Sequence, residues 1–459
     1  MTHYHFIGIG GAGLSPIARV LLERGHRVSG SDLVMSPMAQ ELSAMGVKVS
    51  IGHDAAHVTG ADVIIRSSAI PDTNVEVAAG TNAHVPVVKR ADFLGFLTAE
   101  KEVIAVAGTH GKTTTTAMIA ACLTDAGLDP SYVIGGTSKN LGTNAHAGQG
   151  KYFVIEADEY DRMFLGLNPK LLVVTNVEHD HPDCFPTREG YFQAFVDLGA
   201  RMESDGILLA CGDHPGSLRL METLKGRILG FCYGTHEDCD YKIENISHKP
   251  GCGVNFNFIF GGFSLPVNLS IPGDHNAFNA AAAIAASQRV GIPIEKAIES
   301  LSRFAGTGRR FDIQGEAAGV LVIDDYAHHP SEIRATLSAA RRRYPDREIW
   351  VVWQPHTYSR TRQLFDEFKK SFSDADHVIV TEIYASREKK QEYSSREIAS
   401  QMNHPDARQI GELNDVSAFL KSHLQSGNVL LVLSAGDADS ISRDVLNHFL
   451  SLEATQNDR

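Results

Sequence analysis

Two stretches of this chain, "HFIGIGGAGLSPIARVLLERGHRVSGSD" and "VIAVAGTHGKTTTTAMIAACL", share one plan: an apolar run turns through glycines into a helical pattern. Such a turn leaves the N–H groups of a helix start pointing outward, which makes it a cradle for phosphate. It also belongs to a strand–loop–helix unit, so each stretch should open its own α/β sheet. At 459 residues the chain exceeds what one hydrophobic core supports, and about three domains are expected.

Strand and helix patterns alternate around the first loop: "HFIGIG", a helix over 14–24, "HRVSGSD", "ADVIIRSSAI" and "VPVVKR". A charged step, "LTAEKE", precedes the apolar run from Val103 to Ala107, which restarts the alternation with "YFVIEADEYD", "KLLVVTNVEHDHPD" and "GILLACGDH". Between Tyr241 and Ile271 the period changes to two, and Gly261-Gly262 marks a hairpin turn, so a small peripheral antiparallel insertion is expected. "NAFNAAAAIAASQRVGI" reads as a helix closed near Gly291. Beyond the glycine-rich "FAGTGRRFD" a third alternation runs through "VLVIDDYAHHP", "EIWVVWQPHTYSRT", "HVIVTEIYASRE" and "NVLLVLSAGD". The fold class expected is α/β in three domains: a Rossmann-like parallel sheet over 1–98, a P-loop ATPase-like mixed sheet over 99–305, and a second Rossmann-like domain over 306–459.

A net charge of -13 argues against a broad nucleic-acid surface, which needs clustered Lys and Arg. The six cysteines form no C-x-x-C pair, so a zinc or thioredoxin-like site is not suggested, and free thiols in a reducing compartment are expected. Met1 is followed almost at once by a strand pattern, which leaves no room for a leader, and no stretch of about 18 apolar residues occurs. A cytoplasmic protein without membrane contact is the expectation.

Gly8, Gly10 and Gly13 fit G-x-G-x-x-G, and Asp32 follows where a dinucleotide fold places its ribose acid. Glycines and a helix start recognise phosphate alone, so NAD and a nucleotide sugar both remain open. The second loop, "GTHGKTTTT", has Val106 in place of the first glycine of G-x-x-x-x-G-K-[ST]. Its Gly111, Lys112 and Thr113 still bring amides, an ammonium and a hydroxyl to a polyphosphate and its Mg²⁺. At the next two strand ends stand Glu156, Asp158, Glu159 and Asp161, then Glu178, His179, Asp180, His181 and Asp183. Mg²⁺ rarely takes more than one or two carboxylates, so most of these are not direct ligands. Arg309, Arg310, Asp325, His328, His329, His356, Arg360 and Arg362 fall at the hinge and at later strand ends, where they suggest a charged pocket facing the nucleotide. A nicotinamide dehydrogenase would leave the second loop unexplained. A regulatory P-loop ATPase would leave the first loop and the third domain idle.

Taken in order, "GIGGAGLS", "GTHGKTTTT", "EADEYD", "NVEHDHPD", "GDHNAFNA", "GTGRRFD", "DDYAHHP", "WQPHTYSRT" and "EIYASRE" resemble the Mur ligases of peptidoglycan synthesis, over residues 3–440. The resemblance implies an ADP-forming ligase that uses ATP and Mg²⁺ and proceeds through an acyl phosphate. It is strongest to the alanine-adding branch, which implies UDP-N-acetylmuramate and L-alanine as substrates and a monomer or weak homodimer. Position by position it implies that Gly10, Gly11, Ser15, Asp32 and Ser68 hold the UDP-sugar, and that Gly108, Thr109, His110, Gly111, Lys112, Thr113 and Thr114 hold the ATP phosphates. Asn276 and Asn279 would contact adenine, with Arg310 and Asp325 meeting the nucleotide from the hinge. Thr113, Glu156 and His181 would lie in the metal region, and Lys112, Glu156, His181 and Arg310 would serve catalysis. His329, His356 and Arg360 would place the amino acid.

Two departures bear on the donor. Several family members use a carbamylated lysine after the D-H-x-D motif, but no Lys occurs here between His181 and Lys225, which fits the alanine-adding branch. The family's "HRYTRT" is here "HTYSRT", so Thr357 replaces an arginine that assists substrate binding. "EADEYD" also resembles the related ligase that recycles murein tripeptide, so glycine, serine and the tripeptide stay open beside L-alanine.

Overall fold

The computed structural model describes residues 1–457, whose strands form three sheets in chain order. The first is all parallel, with neighbours in the order Lys48–Ile51, Arg27–Asp32, His3–Ile7, Val63–Arg66 and Val87–Lys89. The order reverses at His3–Ile7, and in open α/β sheets ligands bind in the crevice at that switch point. The glycine loop leaves this strand there. The helix expected over 14–24 spans Ser15–Glu23, with Pro16 in its first turn and Ile17, Val20 and Leu21 buried against the sheet.

The second sheet has ten strands and is parallel through its centre, where Glu102–Ala107 lies between Leu171–Val174 and Tyr152–Glu156. These strands are buried on both faces, which accounts for their continuous apolar runs. Helix Lys112–Asp125 packs closely on helix Asp274–Arg289, whose Ala277, Ala280, Ala281 and Ile284 are fully buried. The period-two segment forms Tyr241–His248, Val254–Phe260 and Phe263–Asn268. Its last two strands meet through Gly261 and Gly262, whose positive φ values of 59° and 82° suit a tight hairpin turn. These strands do not stand apart from the domain; Tyr241–His248 pairs with Leu229–Gly234 and extends the central sheet to its edge.

In the third sheet the order is Asp312–Ala317, Val320–Asp325, Asn428–Leu433, Glu348–Trp353, His377–Val380 and Ala407–Gln409. All pairs are parallel except the first. That antiparallel edge strand is hidden in "FDIQGEA", where mostly exposed positions erase any apolar period.

One hydrophobic core runs without a break from Tyr4, Phe6 and Leu21 of the first sheet to Phe153, Phe164 and Phe195 of the second. The third sheet has its own cores on its two faces. It meets the rest through charged contacts such as Lys139–Asp312, Arg342–Asp274 and Arg360–Asp180. A polar junction of this kind permits one domain to move against the other two.

Candidate active site

Helix Lys112–Asp125 begins directly after Gly111, which has φ 82° and whose Cβ, if present, would lie 2.6 Å from Asn279 Oδ1. Any side chain there would be strained and would displace Asn279. The Lys112 ammonium donates to the carbonyls of Gly108 (2.6 Å) and Thr109 (3.1 Å) and lies 2.9 Å from Glu159. Burial opposes its charge, yet Glu159, with Glu156 and Asp158, holds its pKa above the ordinary lysine value. Thr113, Thr114, Asn276 and Asn279 are buried around the loop. A cavity of about 790 Å³ opens before them, and His110, Gly111, Arg310, Asp325 and His329 complete its walls. Burial raises the Asp325 carboxyl to about 6 against the Arg310 charge and the amides of Phe311 and Ala327. Of the residues expected at the nucleotide, His110, Gly111, Thr113, Thr114, Asn276, Asn279, Arg310 and Asp325 line this one cavity, drawn from two domains, whereas Gly108, Thr109 and Lys112 are not among its lining residues.

The acidic strand end divides in a way the sequence does not reveal. Glu156 accepts the Gly135 N–H at 2.8 Å, whereas Glu159 is fully buried, beside Lys112, the Tyr191 hydroxyl (3.1 Å) and His181 (3.7 Å). Thr113 and Glu156 flank the same turn: a Cβ on Gly136 would stand 3.4 Å from Thr113 Cγ2, and one on Gly135 would stand 2.4 Å from Glu156 Oε2. The Thr113 hydroxyl and the Glu156 carboxylate are hard oxygen donors of the kind Mg²⁺ takes, so the residues fit that ion. His181 stands 3.7 Å from both Glu159 and Asp180. Glu156→Ala is expected to raise the Mg²⁺ concentration needed for half-maximal turnover; an unchanged Mg²⁺ titration would remove Glu156 from the metal shell.

His110 joins two domains, with Nε2 donating to Glu178 (3.0 Å) and Nδ1 to Glu332 (3.1 Å). Burial opposes protonation, but Glu332 and Glu178 outweigh it and raise the imidazole to about 9. His110, Glu178 and His329 bring three donor atoms within 4.8 Å, the spacing of a cation site. The proton count opposes that reading. Both His110 nitrogens donate, and His329 Nδ1 accepts from the Ser331 N–H, which leaves the His329 proton on Nε2. That Nε2–H is buried without a partner at the cavity wall, where an anionic oxygen would satisfy it. Because the folded value lies above the ordinary 6.5, the His110 contribution to stability is complete below that pH and lost as pH rises through about 9. His110→Gln should flatten this alkaline limb in a pH series of thermal melts.

Arg360 is almost fully buried, its Nε donating to Asp180 Oδ1 at 2.8 Å and its Nη1 lying 2.9 Å from His356 Nδ1. Burial opposes ionisation of Asp180, yet Arg360 holds its carboxyl well below the usual range. Burial, with His328, Arg360 and Arg387 adding to it, holds His356 down to about 2 and therefore neutral. Arg387 pairs with Asp183 at 2.6 Å, Ser331 donates to Glu178 at 2.9 Å and Gln363 lies 3.2 Å from His179, so the third domain grips the 178–183 loop along its length. Arg360 is thus engaged in joining domains, beyond the amino-acid role expected of it.

In the first domain the Gly10 N–H donates to Asp32 Oδ2 (2.8 Å) and Ser36 donates to the Gly10 carbonyl (2.9 Å), so Asp32 braces the glycine loop from within. Gly11 and Ser68 are exposed beside it, and Ser15 opens the helix. Gly13 leaves space for Arg90: a Cβ there would stand 2.6 Å from Arg90 Nη1. The same guanidinium lies 3.8 Å from Asp158 and links the first loop to the acidic strand end of the second domain. Arg90, Tyr191 and Glu332 are site residues that the motifs did not single out, and Glu159 was named only as one of an acidic cluster. Only "VPVVKR", a strand ending in two cations, offered a signal for Arg90.

Three family profiles match the chain in order: the Mur ligase family catalytic domain over 3–102, the Mur ligase middle domain over 106–287, and the Mur ligase glutamate ligase domain over 309–436. The chain belongs to the Mur ligase family. A UDP-N-acetylmuramate–L-alanine ligase of Desulfosudis oleivorans is 40% identical over 450 residues, covering 97% of this chain and 98% of the relative. Among solved structures, the UDP-N-acetylmuramate-alanine ligase of Thermotoga maritima superposes with a TM-score of 0.84 at 28% identity, covering 98% of this chain and all of that one. A murein peptide ligase of Psychrobacter arcticus gives 0.74 at 26% identity, over 98% and 99% of the two chains. Mur ligases are ATP-dependent enzymes that form amide bonds. Among the described residues of this Mur ligase, no helix is long and apolar enough to cross a membrane.

Proposed function

We propose that this Mur ligase joins L-alanine to the lactyl carboxylate of UDP-N-acetylmuramate, releasing ADP and phosphate. The observation that carries the reading is the arrangement of two phosphate-type glycine loops, the first linked by Arg90 to the acidic strand end beside the second, with the second facing Arg310 and His329 of the third domain across one cavity. In this reading the first domain binds the UDP-sugar, the central one ATP, and the third the amino acid.

A carboxylate is a poor acyl donor, so its oxygen first attacks the γ-phosphorus of ATP and ADP departs. Lys112 and Arg310 stabilise the charge spread over the transferring oxygens, and the His329 N–H is a further donor at the same wall. Thr113 and Glu156 would hold Mg²⁺, which neutralises phosphate charge when bound. The amine of L-alanine, in its neutral form, then attacks the acyl carbon; phosphate leaves with the bonding pair, and the nitrogen gives up one proton to become the amide. The interdomain pairs Asp180–Arg360 and His110–Glu332 bring the third domain over the cavity and keep water from the acyl phosphate.

The test compares kcat/KM with UDP-N-acetylmuramate, ATP and Mg²⁺ for L-alanine, glycine, L-serine and L-Ala-γ-D-Glu-meso-diaminopimelate. L-Alanine should be preferred, with glycine a slow substrate, because a missing methyl is worth only about 1–3 kcal/mol in an apolar pocket. Preference for the tripeptide would replace the donor and keep the ligase chemistry. ADP release that needs neither sugar nor amino acid would overturn the function.

A further inference from the structure

Alternate residues of the first sheet face opposite sides. Tyr4, Phe6 and Val28 belong to the core shared with the central domain, whereas Ile7 and Ile64 lie under helix Val75–Asn82. That helix leaves the neighbouring strands Arg27–Asp32 and Lys48–Ile51 open on its side. There a cavity of about 400 Å³ is lined by His3, His5, Arg27, Ser29, Lys48 and His57, with Ser50 and Thr59, and by no carboxylate. Neither Arg27 nor Lys48 forms an ion pair among the described residues, whose other Lys and Arg side chains often do. In a chain of net charge -13, an acid-free cavity with two unpaired cations needs an explanation.

The buried residues of its wall form one hydrogen-bonded chain. His3 Nδ1 meets the Gly60 carbonyl at 2.7 Å, His3 Nε2 meets Ser29 Oγ at 2.8 Å, His5 Nδ1 meets the same Oγ at 2.8 Å, and His5 Nε2 meets Glu76 Oε2 at 3.3 Å. Glu76 also accepts from Ser31, His57 and the Asp54 N–H, and its carboxyl is pulled down to about 2 against the effect of burial. Asp62 accepts the His3 N–H at the strand start, so both carboxylates are engaged away from the cavity.

We propose that this cavity is a binding site for a phosphate group, separate from both catalytic loops. Its cations stand at the starts of the strands, while the glycine loop leaves their far ends; the five residues His3–Ile7 separate them by roughly 13 Å of strand rise. Arg27 and Lys48 offer charged donors from adjacent strands, and the Ser50 and Thr59 hydroxyls offer shorter ones from the walls. Guanidinium, ammonium and hydroxyl groups around an acid-free hollow match a tetrahedral oxyanion. The inference does not rest on the catalytic reading.

The experiment titrates inorganic phosphate into the full chain, labelled with ¹⁵N-histidine, after ADP and UDP-N-acetylmuramate have been added to saturation. The His3 and His5 ring signals, assigned with His3→Gln and His5→Gln, should shift saturably. Arg27→Ala/Lys48→Ala should raise the half-saturating phosphate concentration at least about tenfold, as expected for losing two charge-assisted contacts, with turnover unchanged. A parallel titration with ribose 5-phosphate separates the sources: tighter binding than phosphate assigns the site to a phosphorylated metabolite, and equal or weaker binding assigns it to the free ion. Absence of a saturable shift, or the same titration in the double variant, would overturn the proposal.

Discussion

Lys112→Ala is expected to lower kcat by roughly 10³-fold or more, because it removes a buried cation from the place where phosphoryl charge develops. Affinity for the UDP-sugar should survive, since its loop belongs to another domain. The single variant has a second effect: Glu159 loses its ammonium and remains buried, a change that destabilises proteins by about 3–5 kcal/mol when the other charge stays uncompensated. Lys112→Ala/Glu159→Gln separates the two. Thermal stability should recover in the double variant while turnover stays low. Near-normal turnover in either variant would remove ATP from the second loop.

Asp180→Ala should have the next largest effect. It strands the Arg360 guanidinium in a site where only 1% of the side chain is exposed. Because the pair joins two domains that share no apolar core, the consequence should be a loosened third domain, seen as a larger radius of gyration in solution scattering and a kcat reduced about 10²-fold or more by misplacement of the cavity wall. A double-mutant cycle with Arg360→Ala should give a coupling of about 2–3 kcal/mol. Additive effects of the two substitutions would mean that the pair does not hold the domains together.

Both glycine loops and the buried central strands were legible in the sequence because their determinants are local: an apolar run, a glycine, and a helix start within a few residues. The hairpin at Gly261-Gly262 was legible for the same reason. What escaped was set by partners distant along the chain. Arg360 and Asp180 are 180 residues apart, and His110 and Glu332 are 222 apart. No local spacing announces such pairs. Which carboxylate of this strand end meets Lys112 was hidden for a different reason. The strand ends at Glu156, and Glu159 already has φ -75° and ψ -21° ahead of the turn Tyr160–Gly166, so the period of two no longer tells which carboxylate turns toward Lys112. The edge strand Asp312–Ala317 escaped because its exposed residues follow no apolar rhythm.

The antiparallel extension of the central sheet ends at Phe263–Asn268, which has no strand beyond it among the described residues. A free strand edge is a template onto which another chain can add, the first step toward fibrous aggregates. Here the outermost strand carries Pro266 opposite Asn257, and proline has no N–H to offer an incoming strand. Ser264 and Asn268 are exposed along the same edge, so it offers water-loving groups where a sticky edge would be apolar. The one large apolar side chain left out, Phe263, stands beside the Gly261-Gly262 turn and cannot seed a long pairing register by itself. Replacing this proline with a β-branched residue would complete the edge as a template, which makes Pro266 a guard on the solubility of the folded chain.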